Sequence, residues 1–251
     1  MTKKTEGAAE AAAEKPRQSL AAILKDVIES SALWNHEKVP FQAKLHPGYE
    51  RLVFLAGPNA TGKSLLARIT QSIGREHFGT TPINISMTER TGSGLSEISG
   101  MRRMFMFGDE SEQSTGATSA STALRGLDNA KSYAENDGKH ALLVLDEPEI
   151  GLSEGYEYAL GLLIGQKTLE LPEKACGVLV VSHSKTLVEG LRQSLGQDPT
   201  FVFTGKQDLT LDGWMSHKER FTPEELLELN KQGHETWRAV AQAEQSFKKA
   251  S

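Results

Sequence analysis

Short apolar runs alternate along this chain with stretches of helical periodicity. The runs at 52–56, 141–145 and 177–181 are almost wholly apolar, which is typical of strands buried on both faces of a parallel sheet. After the first run, apolar residues such as Leu65 and Ile69 recur at helical spacing. The alternation predicts an α/β fold with a mainly parallel central sheet, flanked by helices and with antiparallel strands at its edge.

The two ends of the chain differ from this central part. Residues 1–18 are mostly Lys, Glu and Ala, and we expect a disordered tail because they bury too little apolar surface to offset the entropy of ordering. Residues 19–31 place their apolar side chains on one helical face, which predicts a helix that packs on the core or on a partner. Near the other end, Thr222 as a cap and Pro223 at the first helical position predict a helix to about residue 248, with Gly233 as the candidate position for a break.

Several segments between the apolar runs are less regular. Residues 87–100 and 108–122 are rich in Ser, Thr and Gly, which predicts loops, and the segment 101–107 between them fits either a strand or a helix. Late in the chain, residues 200–203 and 208–211 have the pattern of a pair of short strands.

The first apolar run leads directly into a glycine-rich octapeptide. Its residues are Gly57, Pro58, Asn59, Ala60, Thr61, Gly62, Lys63 and Ser64. They match the P-loop pattern G-x-x-x-x-G-K-[ST], in its expected place between a strand and a helix. The glycines allow a tight turn around a phosphate, and backbone N–H groups and the helix N-terminus point at the anion. The motif predicts phosphate binding, with Lys63 on the β- and γ-phosphates and the Ser64 hydroxyl on Mg²⁺.

A pair of acids follows the second apolar run. Asp146 and Glu147 stand at the end of a predicted buried strand and are followed by Pro148. In a chain that carries a P-loop, this is the position of a Walker B motif. We expect Asp146 to hold Mg²⁺, directly or through water, and Glu147 to polarise the attacking water.

A histidine follows the third apolar run. His183 stands between two serines, directly after residues 177–181. It comes after the Walker B strand and one intervening helix, which is the order expected of a switch histidine that contacts the γ-phosphate.

With these three motifs the chain resembles the ABC-type ATPases, a group that includes transporter subunits, SMC and RecF-like chromosome ATPases and MutS. The matching stretches are GPNATGKS, LLVLDEPEIGLS and VVSHS, within residues 51–183. The resemblance implies ATP and Mg²⁺ as ligands of the P-loop and catalytic roles for Lys63, for Glu147 as the base and for His183. It also implies that residues 151–153 form the D-loop that meets the opposite subunit. The ABC-type ATPase domain is expected over residues 19–215, followed by a C-terminal helical segment over 216–251.

The chain departs from the family pattern in the parts that complete a partner's site. The LSGGQ-type signature is absent as such, and the best candidate is the segment 119–122, just before a helix predicted from Ala123 toward Asn136. By the resemblance, Ser121 and Thr122 would face the γ-phosphate of the partner subunit. Ser153 replaces the usual D-loop aspartate, and Gln113 is a weak candidate for the Q-loop glutamine.

The composition indicates which ligands and which cellular compartment fit this chain. The net charge of −5 indicates no general attraction to nucleic acid or to an anionic membrane, so a nucleic-acid contact depends only on Arg102 and Arg103. The single cysteine, Cys176, precedes an apolar run, which predicts a buried, inert thiol in a cytoplasmic protein. The sequence has neither a run long enough to span a bilayer nor a signal-peptide core.

The spacing of the motifs separates the candidate functions. Fewer than sixty residues lie between Lys63 and the segment 119–122, too few for the helical subdomain of a transporter subunit or the coiled coil of an SMC head. We therefore expect a compact, stand-alone ATPase that acts as an ATP-driven dimerisation switch for an effector or DNA-processing partner. The alternatives are a transporter subunit and a weakly hydrolysing nucleotide-binding scaffold. Phe41 and Tyr49 are the candidates for stacking on adenine.

Overall fold

A computed structural model describes residues 18–30, 39, 42–86, 114–218 and 220–250 of the chain. The predictions made for residues 1–17, 87–113 and Phe41 lie outside these ranges, and so do those for the Q-loop candidate Gln113 and for the paired arginines Arg102 and Arg103. Within the described ranges, no helix has the length and apolar character needed to cross a bilayer.

The described residues form one six-stranded sheet with helices on both faces. The strands are β1 Gln42–His46, β2 Tyr49–Ala56, β3 Thr80–Ser86, β4 His140–Asp146, β5 Gly177–Val181 and β6 Pro199–Gly205. The helices are α1 Leu20–Ser30, α2 Lys63–Phe78, α3 Thr115–Glu135, α4 Glu154–Leu169, α5 Lys185–Leu195, α6 Leu211–Ser216 and α7 Pro223–Ala250. The three apolar runs of the sequence are the buried parts of β2, β4 and β5.

The strand order across the sheet is β1-β6-β2-β5-β4-β3. Every neighbouring pair is parallel except β1 and β6, which are antiparallel at one edge. This confirms the predicted α/β fold with a mainly parallel sheet and an antiparallel edge. The order also inserts β5 between β2 and β4, so the strands that carry the P-loop and the acid pair are not adjacent.

Two apolar cores lie on the two faces of the sheet. On one face, α1 and α2 pack on the sheet, and Leu20, Ile23, Leu24 and Val27 of α1 are fully buried. This confirms that α1 covers the core of its own chain. On the other face, Phe54 and Phe201 pack with Trp214 of α6, at ring-centroid distances of 5.6 and 5.8 Å from the indole. Cys176 is buried as predicted, and burial raises the pKa of its thiol to about 11.

Three local predictions are wrong, and side-chain caps explain two of them. Residues 208–211 do not form a strand, because the Thr210 hydroxyl accepts from the Gly213 N–H and caps α6. Helix α3 begins at Thr115 rather than Ala123, because the Ser114 side chain accepts from the Ala117 N–H. Residues 115–122 are therefore helical and not a loop. Helix α7 continues through Gly233 without a break.

Candidate nucleotide-binding site

The strands β2, β4 and β5 have their carboxyl ends at the same end of the sheet. Backbone hydrogen bonds join the residues just beyond them, from Glu147 N–H to Val181 O at 2.8 Å and from Ser182 N–H to Leu55 O at 3.2 Å. Since parallel strands present their carboxyl ends on the same side, the groups that follow β2, β4 and β5 meet there. The P-loop, the acid pair and His183 are thus neighbours in space.

The P-loop is folded as a concave turn. Gly57, Ala60 and Gly62 all have positive φ, and α2 begins at the next residue, Lys63. Gly57 cannot be replaced without movement, since a Cβ there would lie 2.2 Å from the carbonyl oxygen of Thr204. Such a turn directs successive N–H groups inward, and the N-terminus of α2 adds the positive end of its dipole. A loop of this geometry can accept a phosphate chain.

The Lys63 side chain lies over this turn. Its Nζ donates to the carbonyl oxygens of Gly57 and Pro58, both at 2.9 Å, and the residue is 8% exposed. Thr61 stabilises the loop, because its hydroxyl donates to Pro58 O and forms a 2.8 Å hydrogen bond with the Thr204 hydroxyl. The ammonium group is thereby held at the centre of the loop, where it can pair with phosphate oxygens.

A cavity of about 360 Å³ opens beside the loop. It brings together most of the predicted site residues and one stretch of α7. Its predicted members are Asn59, Ala60, Thr61, Gly62, Lys63, Ser64, Asp146, Glu147 and His183. Gly57 and Pro58 line an adjoining cleft of about 380 Å³, which His183 also borders. The P-loop therefore separates two connected depressions, and His183 lies at their junction.

Asp146 is a partly buried carboxyl group next to a second acid, Glu147. Burial and the neighbouring charge of Glu147 raise the pKa of Asp146 to about 6, against a weak opposing hydrogen bond from the Ser86 hydroxyl at 3.4 Å. Asp146 and Ser64 border the same depression, and both carry the hard oxygen ligands that Mg²⁺ prefers. Glu147 has a φ of 52°, a conformation that non-glycine residues rarely adopt and that often marks functional positions.

His183 is neutral at physiological pH. Partial burial and the positive charge of Lys63 lower the pKa of its imidazole to about 4. A neutral imidazole offers one donor and one acceptor nitrogen. At the junction of the two depressions it can hydrogen-bond to a phosphate oxygen without adding charge.

Glu149 also lies near the site, although the sequence did not predict it. Its Oε1 accepts a 2.5 Å hydrogen bond from the Ser182 hydroxyl, and its buried Oε2 has no hydrogen-bond partner among the described residues. Burial raises the pKa of this carboxyl, and the hydrogen bond from Ser182 opposes the shift. Its place two residues after Glu147 was a signal, but two surface acids would have the same spacing.

The candidate signature segment does not reach the cavity. Ser119 and Thr122 are buried within α3, and the Ser119 hydroxyl donates to Ile150 O at 2.7 Å. The expectation that Thr122 faces a phosphate across an interface is therefore wrong, because its side chain points into its own chain. Ser121 is exposed on α3, and Ser153 is exposed at the N-cap of α4.

The adenine candidate Tyr49 lies at the wrong end of the sheet. It is the first residue of β2, and its N–H donates to Asp198 O at 2.8 Å. The P-loop follows the last residue of the same strand, seven residues further on. Tyr49 therefore cannot stack on a nucleotide bound at the P-loop.

The sheet order and the loop define the fold of a P-loop NTPase. No protein-family model matches the sequence, and neither does a curated protein. Among solved structures, the chain is similar to Cdc6p from Pyrobaculum aerophilum, with 14% identity and a TM-score of 0.37. That match covers 69% of this chain and 41% of the other, so the chain spans less than half of the matched protein. The narrower resemblance to ABC-type ATPases stays a prediction.

Proposed function

We propose that this chain binds ATP with Mg²⁺ at the P-loop and hydrolyses it to ADP and phosphate. The observation that carries the proposal is the meeting of Lys63, Asp146, Glu147 and His183 around one cavity at the carboxyl edge of the sheet. These groups lie at or after the carboxyl ends of β2, β4 and β5 and offer a cation, two acids and a neutral imidazole within the reach of one triphosphate.

Each group has a distinct part in this reaction. The inward N–H groups of the loop and Lys63 neutralise the phosphate chain, and Lys63 exchanges its carbonyl partners for phosphate oxygens. Ser64 and Asp146 would hold Mg²⁺, which when bound neutralises charge between the β- and γ-phosphates. Glu147 orients the attacking water and accepts its proton. The neutral His183 positions the γ-phosphate through a hydrogen bond.

We further propose that ATP drives this chain to dimerise, as a switch for a protein partner. The support is a group of exposed side chains close to the acid pair. Ser153 is exposed beside Ile150 and Tyr156, which are 37% and 69% exposed, and apolar surface of this kind is typical of interfaces. The assignment of that partner to DNA processing or defence comes from the family resemblance alone.

A weakly hydrolysing scaffold is the second candidate. The observation in its favour is the burial of Thr122, which leaves Ser121 as the exposed member of the two signature residues expected to contact the partner's phosphate. Steady-state phosphate release separates the two functions, because a scaffold binds ATP as tightly but turns it over far more slowly.

The test of the main proposal uses two variants and one control. Lys63→Ala should lose most ATP affinity, on the order of a few kcal/mol, because a charge-assisted contact to phosphate disappears. Glu147→Gln should keep ATP affinity and lose hydrolysis, since the amide keeps the shape but cannot accept a proton. Glu154→Gln, an exposed acid in the first turn of α4, should match wild type in both. Calorimetry and phosphate release measure these quantities, and undiminished binding by Lys63→Ala would contradict the proposal.

A further inference from the structure

One face of α7 forms a wall of the P-loop cavity. Gly233, Thr236, Trp237 and Val240 line it, at the i, i+3, i+4 and i+7 positions of one helical stripe. Val240 is 3% exposed and belongs to the core on the α1–α2 face, so this part of the helix is fixed against the domain. The wall opposite the P-loop therefore has a defined position relative to the phosphate site.

Trp237 stands out on this wall. It is 68% exposed, although a large apolar side chain loses free energy by staying in water. One turn earlier, Gly233 presents no side chain, and nothing lies within 4 Å of the position that a Cβ would take there. The exposed indole and the open space beside Gly233 therefore lie on the wall of the cavity that is made by α7, across from the P-loop.

The polarity of the cavity changes from one side to the other. The P-loop side offers the charged groups Lys63 and Asp146, whereas the α7 side offers no charged group: its lining residues are Gly233, Thr236, Trp237 and Val240. A nucleotide has a similar division, with a charged phosphate chain at one end and, at the other, an uncharged flat base whose faces stack on aromatic rings. If the phosphates bind at the P-loop, the base of the same nucleotide lies on the α7 side of the cavity.

We propose that the indole of Trp237 stacks on the base of the nucleotide whose phosphates bind the P-loop. The inference rests on the proposed function, which it extends by naming the residue that binds the nucleoside end. Stacking on an aromatic side chain tolerates every base, because each base has a π-face. The site is therefore expected to accept ATP and GTP with similar affinity.

The test compares ATP with inorganic triphosphate, which has phosphates but no base. Calorimetry of Trp237→Ala should show ATP binding weakened roughly tenfold and triphosphate binding unchanged. Trp237→Phe should retain most of the ATP affinity because it keeps an aromatic ring. Leu227→Ala, at an 82% exposed position of the same helix that does not line the cavity, is the matched control and should bind both ligands as wild type does.

Fluorescence gives a second readout on the intact chain. Trp237 is one of three tryptophans in the sequence, and a base stacked on it should quench the emission of wild type with ATP but not with triphosphate. The quenching should be absent in Trp237→Phe. Normal ATP affinity in Trp237→Ala, or an equal loss for ATP and triphosphate, would overturn the stacking while leaving the P-loop assignment in place. Failure of wild type to bind either ligand would overturn both proposals.

Discussion

The hydroxyl of Ser182 donates a 2.5 Å hydrogen bond to the carboxylate of Glu149, which joins the end of β5 to the loop after β4. A second bond of the same kind lies on the other side of His183, where the Ser184 hydroxyl donates to Glu157 Oε2 of α4 at 2.6 Å. His183 is thus flanked by two serines that are each fixed to a glutamate from the segment following the acid pair. Its position depends on that segment.

Removing Glu149 should slow hydrolysis more than it weakens binding. In Glu149→Ala, Ser182 loses its acceptor, so one of the two serine–glutamate hydrogen bonds that flank His183 is lost. A displacement of His183 should slow hydrolysis by about tenfold or more, whereas the P-loop contacts that determine ATP affinity do not change. Phosphate release and calorimetry measure the two effects. Glu154→Ala is the control, and an equal loss of affinity and turnover would show that Glu149 acts on the fold as a whole.

Asp146→Asn should change how stability depends on pH when magnesium is absent. The pKa of Asp146 is raised from 3.8 to about 6, so the folded protein holds this proton more tightly than the unfolded chain. Its contribution to stability is full below about pH 4 and is lost as the pH rises through about 6. Because the amide of the Asp146→Asn variant does not titrate, the variant does not lose this stability as the pH rises. At pH 7 its free energy of unfolding should therefore exceed that of wild type by about 2 kcal/mol after solvent screening.

Urea unfolding at pH 4 and pH 7 checks this prediction. The lowered pKa of His183 gives the opposite slope, with stability lost as the pH falls from 6.5 toward 4. That slope is present in wild type and in the variant, so it cancels in their difference. A difference that is the same at both pH values would contradict the raised pKa of Asp146.

ATP should convert Glu147→Gln to a homodimer that ADP releases. A lone chain with one set of motifs can form a two-fold, self-complementary interface, which the exposed group at Ile150, Ser153 and Tyr156 would supply. Adding Tyr156→Asp should abolish the dimer and leave ATP affinity unchanged. Leu169→Asp, at a 47% exposed position at the far end of the same helix, is the control. Light scattering at micromolar protein concentration measures the mass with ATP and with ADP. A mass that stays that of a monomer under both conditions would contradict the dimerisation switch.

Two glycines of α4 should respond in opposite directions to alanine. A Cβ on Gly161 would lie 2.1 Å from Leu187 O of α5, so the two helices would have to separate. We expect Gly161→Ala to lower the free energy of unfolding by about 2 kcal/mol or more. Nothing lies within 4 Å of a Cβ on Gly155, and Gly155→Ala should raise the free energy of unfolding by about half a kcal/mol. Urea unfolding of both variants measures the contrast.

The sequence was sufficient where the signal is local. The P-loop, the acid pair and His183 each combine a buried strand with a few fixed residues, and the structure places all three at one site. The sequence was misleading at residues 115–122, which are rich in the Ser, Thr and Gly that are typical of loops but form the first turns of α3. Gly116 is there because a Cβ would lie 2.5 Å from Gly151 O, a packing constraint that no local pattern contains.

Long-range packing explains what the sequence could not provide. The insertion of β5 between β2 and β4 requires β5 to pair with β2, which precedes it by more than a hundred residues, and single apolar runs do not encode that choice. Tyr49 was considered because it precedes the P-loop in sequence, but a strand places it at the opposite end. Trp237 borders the cavity on a helix that precedes no motif and whose Val240 is buried in the core of the domain, a placement that the local sequence does not indicate.

The cavity is assembled from parts of the chain that are distant in sequence, from the P-loop through β4 and β5 to α7. Unfolding any of them releases the nucleotide, so under the proposed function ligand binding adds to the stability of the whole sheet. The gain grows with the logarithm of nucleotide concentration, about 2.7 kcal/mol at a hundred times the dissociation constant. Removal of all bound nucleotide would take away this gain, so the empty protein should unfold at a lower urea concentration and be cut faster by a protease than the nucleotide-bound protein.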